Sequence, residues 1–94
     1  MNFVVWHVNE PTFGLGEQYE FPKDYSRVAV VKSDNVDDVF RITNHIESDW
    51  TQNPEVVTLI GKCHRSTSVG DVVEEFKPDG KKFLCAPVGW KEIA

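Results

Sequence analysis

The chain has 94 residues, enough for one hydrophobic core and too few for two domains with separate cores. Apolar residues make up 40% and charged residues 27%, a balance typical of a folded globular chain and not of a disordered one. The sequence has no run of about 18 apolar residues and no export signal, so we expect a cytoplasmic protein with no membrane partner.

The net charge of −5 is concentrated in one segment of the chain. Six acidic residues and one basic residue, Arg41, lie between Asp34 and Glu55, so this segment alone has a balance of −5. No basic stripe occurs elsewhere, and nucleic acid is therefore not an expected partner. The acidic segment has two interpretations: a solvated face that aids solubility, or a surface that attracts basic patches on another protein.

Two strands are predicted in the first third of the chain. Residues 3–8 are mostly apolar and rich in β-branched and aromatic side chains, which is typical of a buried strand. Residues 25–32 carry three valines near their centre and form the second strand. Between them, residues 12–24 contain glycines and a proline among aromatic residues, which predicts a long loop.

A helix is predicted over residues 35–46. Favoured N-cap residues occupy positions 33–35, and Asp37 and Asp38 place negative charge where the helix dipole stabilises it. Asn44 is expected to close the last turn. The apolar positions recur at helical spacing and must cover a sheet; they are Val36, Val39, Phe40, Thr43 and Ile46.

The next stretch predicts a loop and a third strand. Asn53-Pro54 marks the loop, and residues 56–60 form a strand that ends at Gly61. Trp50 lies in the polar part of this loop. Its indole either folds back over the core or is exposed as a binding anchor.

Residues 65–90 carry the clearest local structure signals in the chain. The serine-rich stretch 65–68 favours a turn because its side chains can bond to their own backbone, and Gly70 can take a positive φ. A hairpin follows, with strands at 72–76 and 83–90 joined by Pro78-Asp79-Gly80. Pro87 and Gly89 are expected to bend the second strand or confine it to an edge.

These elements predict a single α+β domain. It has a mainly antiparallel sheet of about five strands, with one helix packed on one face.

Three stretches, FRITNHIESDW, RSTSVGDVV and APVGWKEI, occur in an order that resembles the YodL-like family of small domains from bacteria, phages and conjugative elements. The resemblance runs from Val28 onward and leaves residues 1–24 uncovered. It implies a phage- or mobile-element-encoded domain, and it implies no activity because none is established for that family. The matching positions are Phe40, Thr43, Asn44, Trp50, Ser66, Ser68, Val69, Asp71, Val72, Val73, Gly89 and Trp90.

Two sets of residues are candidate sites. The first is a partner-binding surface on the acidic helix and the loop after it, with Asp37, Asp38, Glu47, Asp49 and Trp50. The second is a ligand cleft at the RSTSVGD turn, with Asn44, Arg65, Ser66, Ser68 and Asp71. A structural alternative exists for the second set, in which the Asp71 carboxylate accepts backbone N–H groups of the turn.

No metal site, cofactor or catalytic residue is predicted. The histidines and cysteines lack ligand spacing such as CxxC or HxxxH, and Cys63 and Cys85 are expected to stay reduced in a cytoplasmic protein. We therefore expect a non-enzymatic binding or accessory module, monomeric or a small homo-oligomer. Its partner would be a host or phage protein, as in counter-defence or host takeover. The alternative is a small enzyme or ligand-binding domain with its cleft at the RSTSVGD turn.

Overall fold

A computed structural model of the protein describes residues 1–9, 20–44, 49–61 and 65–93. Its elements are the strands β1 (Asn2–Val8), β2 (Tyr25–Lys32), β3 (Val56–Leu59), β4 (Val72–Glu75), β5 (Lys82–Cys85) and β6 (Trp90–Ile93), the helix α1 (Val36–Thr43) and a 3₁₀ turn (Trp50–Gln52). The strands form one sheet in the order β3-β2-β1-β4-β5-β6, and every neighbouring pair is antiparallel.

The α+β prediction is confirmed, but the strand number is six in the described residues and not about five. Pro87 and Gly89 reverse the chain where a bend was expected. The Ala86 N–H donates to the Gly89 carbonyl at 3.0 Å, and Gly89 has a φ of 72°. Cys85 then pairs with Trp90, so the predicted strand over residues 83–90 is a second hairpin, β5 to β6.

The helix is shorter than predicted. The Asn35 side chain accepts the Asp38 N–H at 2.8 Å as the N-cap, and the helix ends at Thr43 with Asn44 as the C-cap. Residues 45–48, which include the rest of the predicted helix, lie outside the described residues. At eight residues, α1 is too short to cross a bilayer, and no other described helix is long enough.

The helix packs on one face of the sheet, as predicted. Val39, Ile42 and Thr43 are fully buried there, while Val36 and Phe40 are half-buried. Ile42 was left out of the predicted apolar stripe although it lies three residues after Val39. The core on this face contains Phe3, Val5, Val28, Ala29, Val31, Val39, Ile42, Trp50 and Val73.

The opposite face of the sheet has a smaller apolar cluster. Val8, Tyr25 and Val72 are buried in it, and the Phe21 ring packs edge-on against Trp6 with a centroid separation of 4.9 Å. Phe21 belongs to the predicted loop 12–24, of which residues 12–19 lie outside the described residues. This part of the loop therefore covers the sheet with an aromatic ring.

The hairpin between β4 and β5 is confirmed. Val72 pairs with Leu84, and Asp79 in the connecting turn has a φ of 56°. A Cβ added at Gly80 would overlap the carbonyl oxygen of Glu75. The turn therefore needs glycine at this position for close packing of its own backbone.

Candidate functional site

The RSTSVGD turn is built around an ion pair between Arg65 and Asp71. The carboxylate of Asp71 is fully buried, and the Arg65 side chain is 29% exposed. Arg65 Nη1 donates to Oδ2 and Nη2 to Oδ1, both at 2.7 Å. This bidentate geometry is the strongest that an arginine and a carboxylate can adopt, and it fixes the orientation of both groups.

Backbone groups complete the hydrogen bonding of Asp71. The Val8 N–H donates to Oδ1 at 2.9 Å, and the Ser68 N–H donates to Oδ2 at 2.8 Å. Arg65 in turn donates to the carbonyls of Val8 and Ser66, at 3.2 and 3.0 Å. The structural interpretation of Asp71, in which it accepts backbone N–H groups of the turn, is confirmed by the Ser68 N–H. Oδ1 already accepts two hydrogen bonds and Oδ2 accepts three.

Two further residues connect this turn to the sheet and the helix. The buried His7 Nε2 lies 2.9 Å from Thr67 Oγ1 and 4.0 Å from Asp71 Oδ2. The Thr67 N–H donates to the Thr43 carbonyl at 3.0 Å, and Asn44 Nδ2 donates to the Thr67 carbonyl at 2.5 Å. We call His7, Arg65, Thr67, Ser68 and Asp71 the polar cluster; it holds the end of β1, the end of α1 and the start of β4 together.

All five residues predicted for a ligand cleft lie in or beside the polar cluster. Arg65, Ser68 and Asp71 bind one another, while the Ser66 carbonyl accepts from Arg65. Asn44 donates to the Thr67 carbonyl. Sequence reasoning missed His7 and Thr67. His7 carried a usable signal, because it has the most polar side chain among residues 3–8 of a buried strand, and such a side chain requires a partner inside the protein. Nothing in the local sequence identified Thr67, 60 residues away, as that partner.

Two of the acidic residues predicted for partner binding, Asp38 and Asp49, accept hydrogen bonds from nearby residues in the sequence. Asp38 Oδ2 accepts from Ser33 Oγ at 2.8 Å and Oδ1 from Arg41 Nε at 2.9 Å, and these hydrogen bonds, Ser33 first, lower the pKa of Asp38. Exposed Asp49 caps the 3₁₀ turn by accepting the Thr51 N–H at 3.0 Å. Glu47 lies outside the described residues.

Trp50 is a core residue, which corrects its inclusion in the partner-binding surface. Its side chain is 2% exposed, and its Nε1 donates to the Arg65 carbonyl at 3.0 Å. The indole packs in the cluster between α1 and the sheet, with its ring centroid 6.3 Å from that of His7. Of the two interpretations of Trp50, the one in which it folds back over the core is correct.

A pocket of about 250 Å³ opens between α1 and the β5–β6 turn. Phe40 and Trp90 form one corner of it, with ring centroids 6.1 Å apart and planes at 79°. Trp90 Nε1 donates to Asp37 Oδ1 at 3.0 Å, which places the carboxylate beside the two rings. We call Asp37, Phe40 and Trp90 the aromatic corner. The sequence predicted Trp90 as a strand residue and as one of the positions matching the YodL-like family, but not as part of a site.

Cys85 lines the same pocket and is a buried residue. Burial raises the pKa of Cys85 from 9.0 to about 11, and the negative charge of Asp71 adds to the shift. The thiol is therefore protonated at neutral pH, and it is free of any disulfide. Cys63 lies outside the described residues.

We expect Cys85 to resist alkylation in the folded protein. The test uses a Cys63→Ser variant at about pH 9, so that Cys85 is the one thiol. Iodoacetamide should react roughly fiftyfold more slowly with the folded chain than with the urea-unfolded chain, because the fraction of Cys85 present as thiolate is lower by that factor in the folded chain. Since the folded-state pKa is raised, the stability that the protonated thiol contributes is present below pH 9.0 and is lost as the pH rises towards about 11. Equal rates in both states would contradict this burial.

The described residues contain no group of three or more His, Cys, Asp or Glu side chains that could hold a metal ion. The protein is therefore a small α+β domain. Its polar cluster supports the fold, and its aromatic corner lies at a pocket beside the acidic helix α1. Comparison with protein-family models, with curated proteins and with solved structures finds no match to the chain.

Proposed function

We propose that this domain is a non-enzymatic binding module whose partner is a protein with a basic surface. Exposure of the acidic segment carries the proposal. Asp34, Asp37 and Glu55 are exposed and form no ion pair with a described residue, while the one base of the segment, Arg41, pairs with Asp38. Uncompensated negative charge on a surface attracts lysine and arginine and increases the rate of association with a basic partner.

The segments that carry the acidic positions contact one another. The 3₁₀ turn that Asp49 caps contacts α1. The Lys32 N–H donates to the Glu55 carbonyl at 2.8 Å, so the loop before β3 runs beside the residues that lead into the helix. We call Asp34, Asp37, Asp38, Asp49 and Glu55 the acidic surface. Trp50 is not part of it, because a buried indole offers no area to a partner in this conformation.

The alternative function, a small enzyme or ligand-binding domain, would use the RSTSVGD turn as its cleft. A general base or a ligand contact needs an accessible lone pair. Both oxygens of Asp71 already accept from Arg65 and from a backbone N–H, inside the protein. The proposal therefore assigns the polar cluster a structural role.

The resemblance to the YodL-like family supports a proposal about the genetic origin of the protein. We propose on that basis a cytoplasmic domain encoded by a phage or another mobile element. In such a setting, an acidic domain would occupy the basic surface of a host protein during counter-defence or host takeover.

Selection from a random peptide library, at physiological salt, tests the proposed function. We expect the selected peptides to be enriched in lysine and arginine. A double variant, Asp34→Lys with Glu55→Lys, should bind them about tenfold or more weakly, because two exposed attractions become repulsions.

A matched control variant separates a surface effect from net charge. Glu20→Lys with Glu92→Lys makes the same charge change at exposed acids outside the acidic surface. It should retain most of the affinity. Equal losses in both double variants, or selected peptides without basic residues, would refute the proposed function.

A further inference from the structure

We propose that the aromatic corner binds an arginine side chain of the partner. This inference rests on the proposed function, because that arginine would belong to the partner's basic surface. It names the anchor point on the domain and the chemical group that the anchor point recognises.

The protein contains a complete version of the same arrangement on the other face of the sheet. There, Trp6 Nε1 donates to Glu74 Oε1 at 3.1 Å, and the guanidinium carbon of Arg27 lies 4.9 Å from the centre of the Trp6 ring. An indole N–H thus orients a carboxylate while an arginine stacks on the indole. The ring face attracts the arginine, and Glu74 lines the same pocket as Arg27.

The aromatic corner has two of these three parts. Trp90 Nε1 donates to Asp37 Oδ1 at 3.0 Å, as Trp6 donates to Glu74. Among the described residues, no arginine or lysine stacks on Trp90, and Asp37 Oδ2 accepts no hydrogen bond. Arg41, the nearest base in sequence on α1, is held by Asp38. The third part is therefore open to a cation from another molecule.

The shape of the pocket suits a single long side chain. Its volume of about 250 Å³ lies below the range of about 300–1,000 Å³ that drug-sized ligands occupy. The rest of its lining is mainly apolar, which suits the methylene stem of an arginine. That lining consists of Val69, Cys85, Ala86, Pro87 and Gly89.

The geometry favours a guanidinium over an ammonium group. Phe40 and Asp37 are three residues apart on α1 and so share one side of the helix. A planar guanidinium can stack on an aromatic ring and donate to the carboxylate in the same pose, whereas an ammonium group is a compact, strongly hydrated charge. Lysine should therefore bind in the same place but more weakly.

Titration with N-acetyl-L-arginine amide, followed by ¹⁵N NMR, tests the inference without knowledge of the partner. The Trp90 indole N–H signal should move with a dissociation constant on the order of millimolar, as expected for one side chain. The Trp50 indole N–H is buried and should not move. The neutral analogue N-acetyl-L-citrulline amide, which keeps the shape without the charge, should shift the Trp90 signal at least about fivefold less at equal concentration.

A pair of single variants tests the role of the carboxylate. Asp37→Asn retains an acceptor for Trp90 Nε1 but removes the charge, and it should weaken arginine amide binding about fivefold or more. Glu20→Gln, which removes one charge outside both the pocket and the acidic surface, should weaken it by less than about twofold.

Each outcome supports or overturns the inference. An immobile Trp90 signal, equal responses to the arginine and citrulline amides, or equal effects of the two variants would overturn it. The comparison of the two amides uses the unmodified protein, so it holds even if Asp37→Asn does not fold. Enrichment of basic peptides without any response of Trp90 would retain the proposed function and reject the aromatic corner as its anchor.

Discussion

Replacing Asp71 with asparagine is expected to remove about 3–5 kcal/mol of folding free energy, the usual cost of breaking a buried ion pair from one side. The change leaves the guanidinium of Arg65 beside a neutral group, and Arg65 is only 29% exposed. The amide also replaces an oxygen that accepts at least two hydrogen bonds with an NH₂ group that donates. Because a domain of this size has a total stability of about 5–15 kcal/mol, the variant should unfold at a much lower urea concentration.

Two further variants measure how much of this loss comes from the ion pair between Arg65 and Asp71. Asp38→Asn removes an exposed pair with Arg41, and we expect a much smaller loss of stability. Arg65→Met in the Asp71→Asn background should cost far less than the same change in the original chain, because the arginine has already lost its partner. If Asp71→Asn proves no more harmful than Asp38→Asn, the polar cluster is not structural, and the cleft at the RSTSVGD turn becomes the stronger candidate site.

The parts of the fold that were predictable are those whose signals are local. Asn35 and the acids after it define the start of α1 within a few residues, and the helix begins there. Pro78-Asp79-Gly80 lies between two apolar runs, and a tight hairpin forms around it. The contact between Asp71 and the Ser68 N–H is also local, since the two residues are three positions apart. Each of these features depends on residues close together in the sequence, so the local pattern indicates it.

The second hairpin is formed by a turn signal like that of the first. Pro87 and Gly89 are separated by one residue, as Pro78 and Gly80 are, but only Pro78-Asp79-Gly80 was predicted as a hairpin turn. The residues after Pro87 and Gly89 include Lys91 and Glu92, which do not look like a buried strand. β6 is an edge strand in the described sheet, where exposed charges are common.

The candidate sites depend on contacts that no local pattern reveals. Val8 donates to Asp71 across 63 positions, and Trp90 donates to Asp37 across 53. Both contacts follow from the order of strands in the sheet, which the sequence alone did not predict. The same applies to Trp50, whose polar neighbours in sequence suggested exposure while its neighbours in space are apolar.

Replacing Trp50 with alanine is expected to cost about 3–5 kcal/mol of stability, as for other large buried aromatic residues. The change empties a site between α1 and the sheet and leaves the Arg65 carbonyl without its indole donor. Trp50→Phe should cost less, about 1–3 kcal/mol, because it keeps an aromatic ring and mainly loses that hydrogen bond.

Urea denaturation followed by circular dichroism measures both Trp50 variants, and Trp90→Phe is a suitable comparison because Trp90 is only half-buried. We expect changes at the two tryptophans to differ in whether they lower stability or affinity. Changes at Trp50 should lower stability and leave the affinity of the folded fraction for basic peptides intact, whereas Trp90→Phe should lower that affinity with a smaller loss of stability. Loss of affinity without loss of stability in Trp50→Phe would show that Trp50 contacts the partner directly, and would contradict its position in the core.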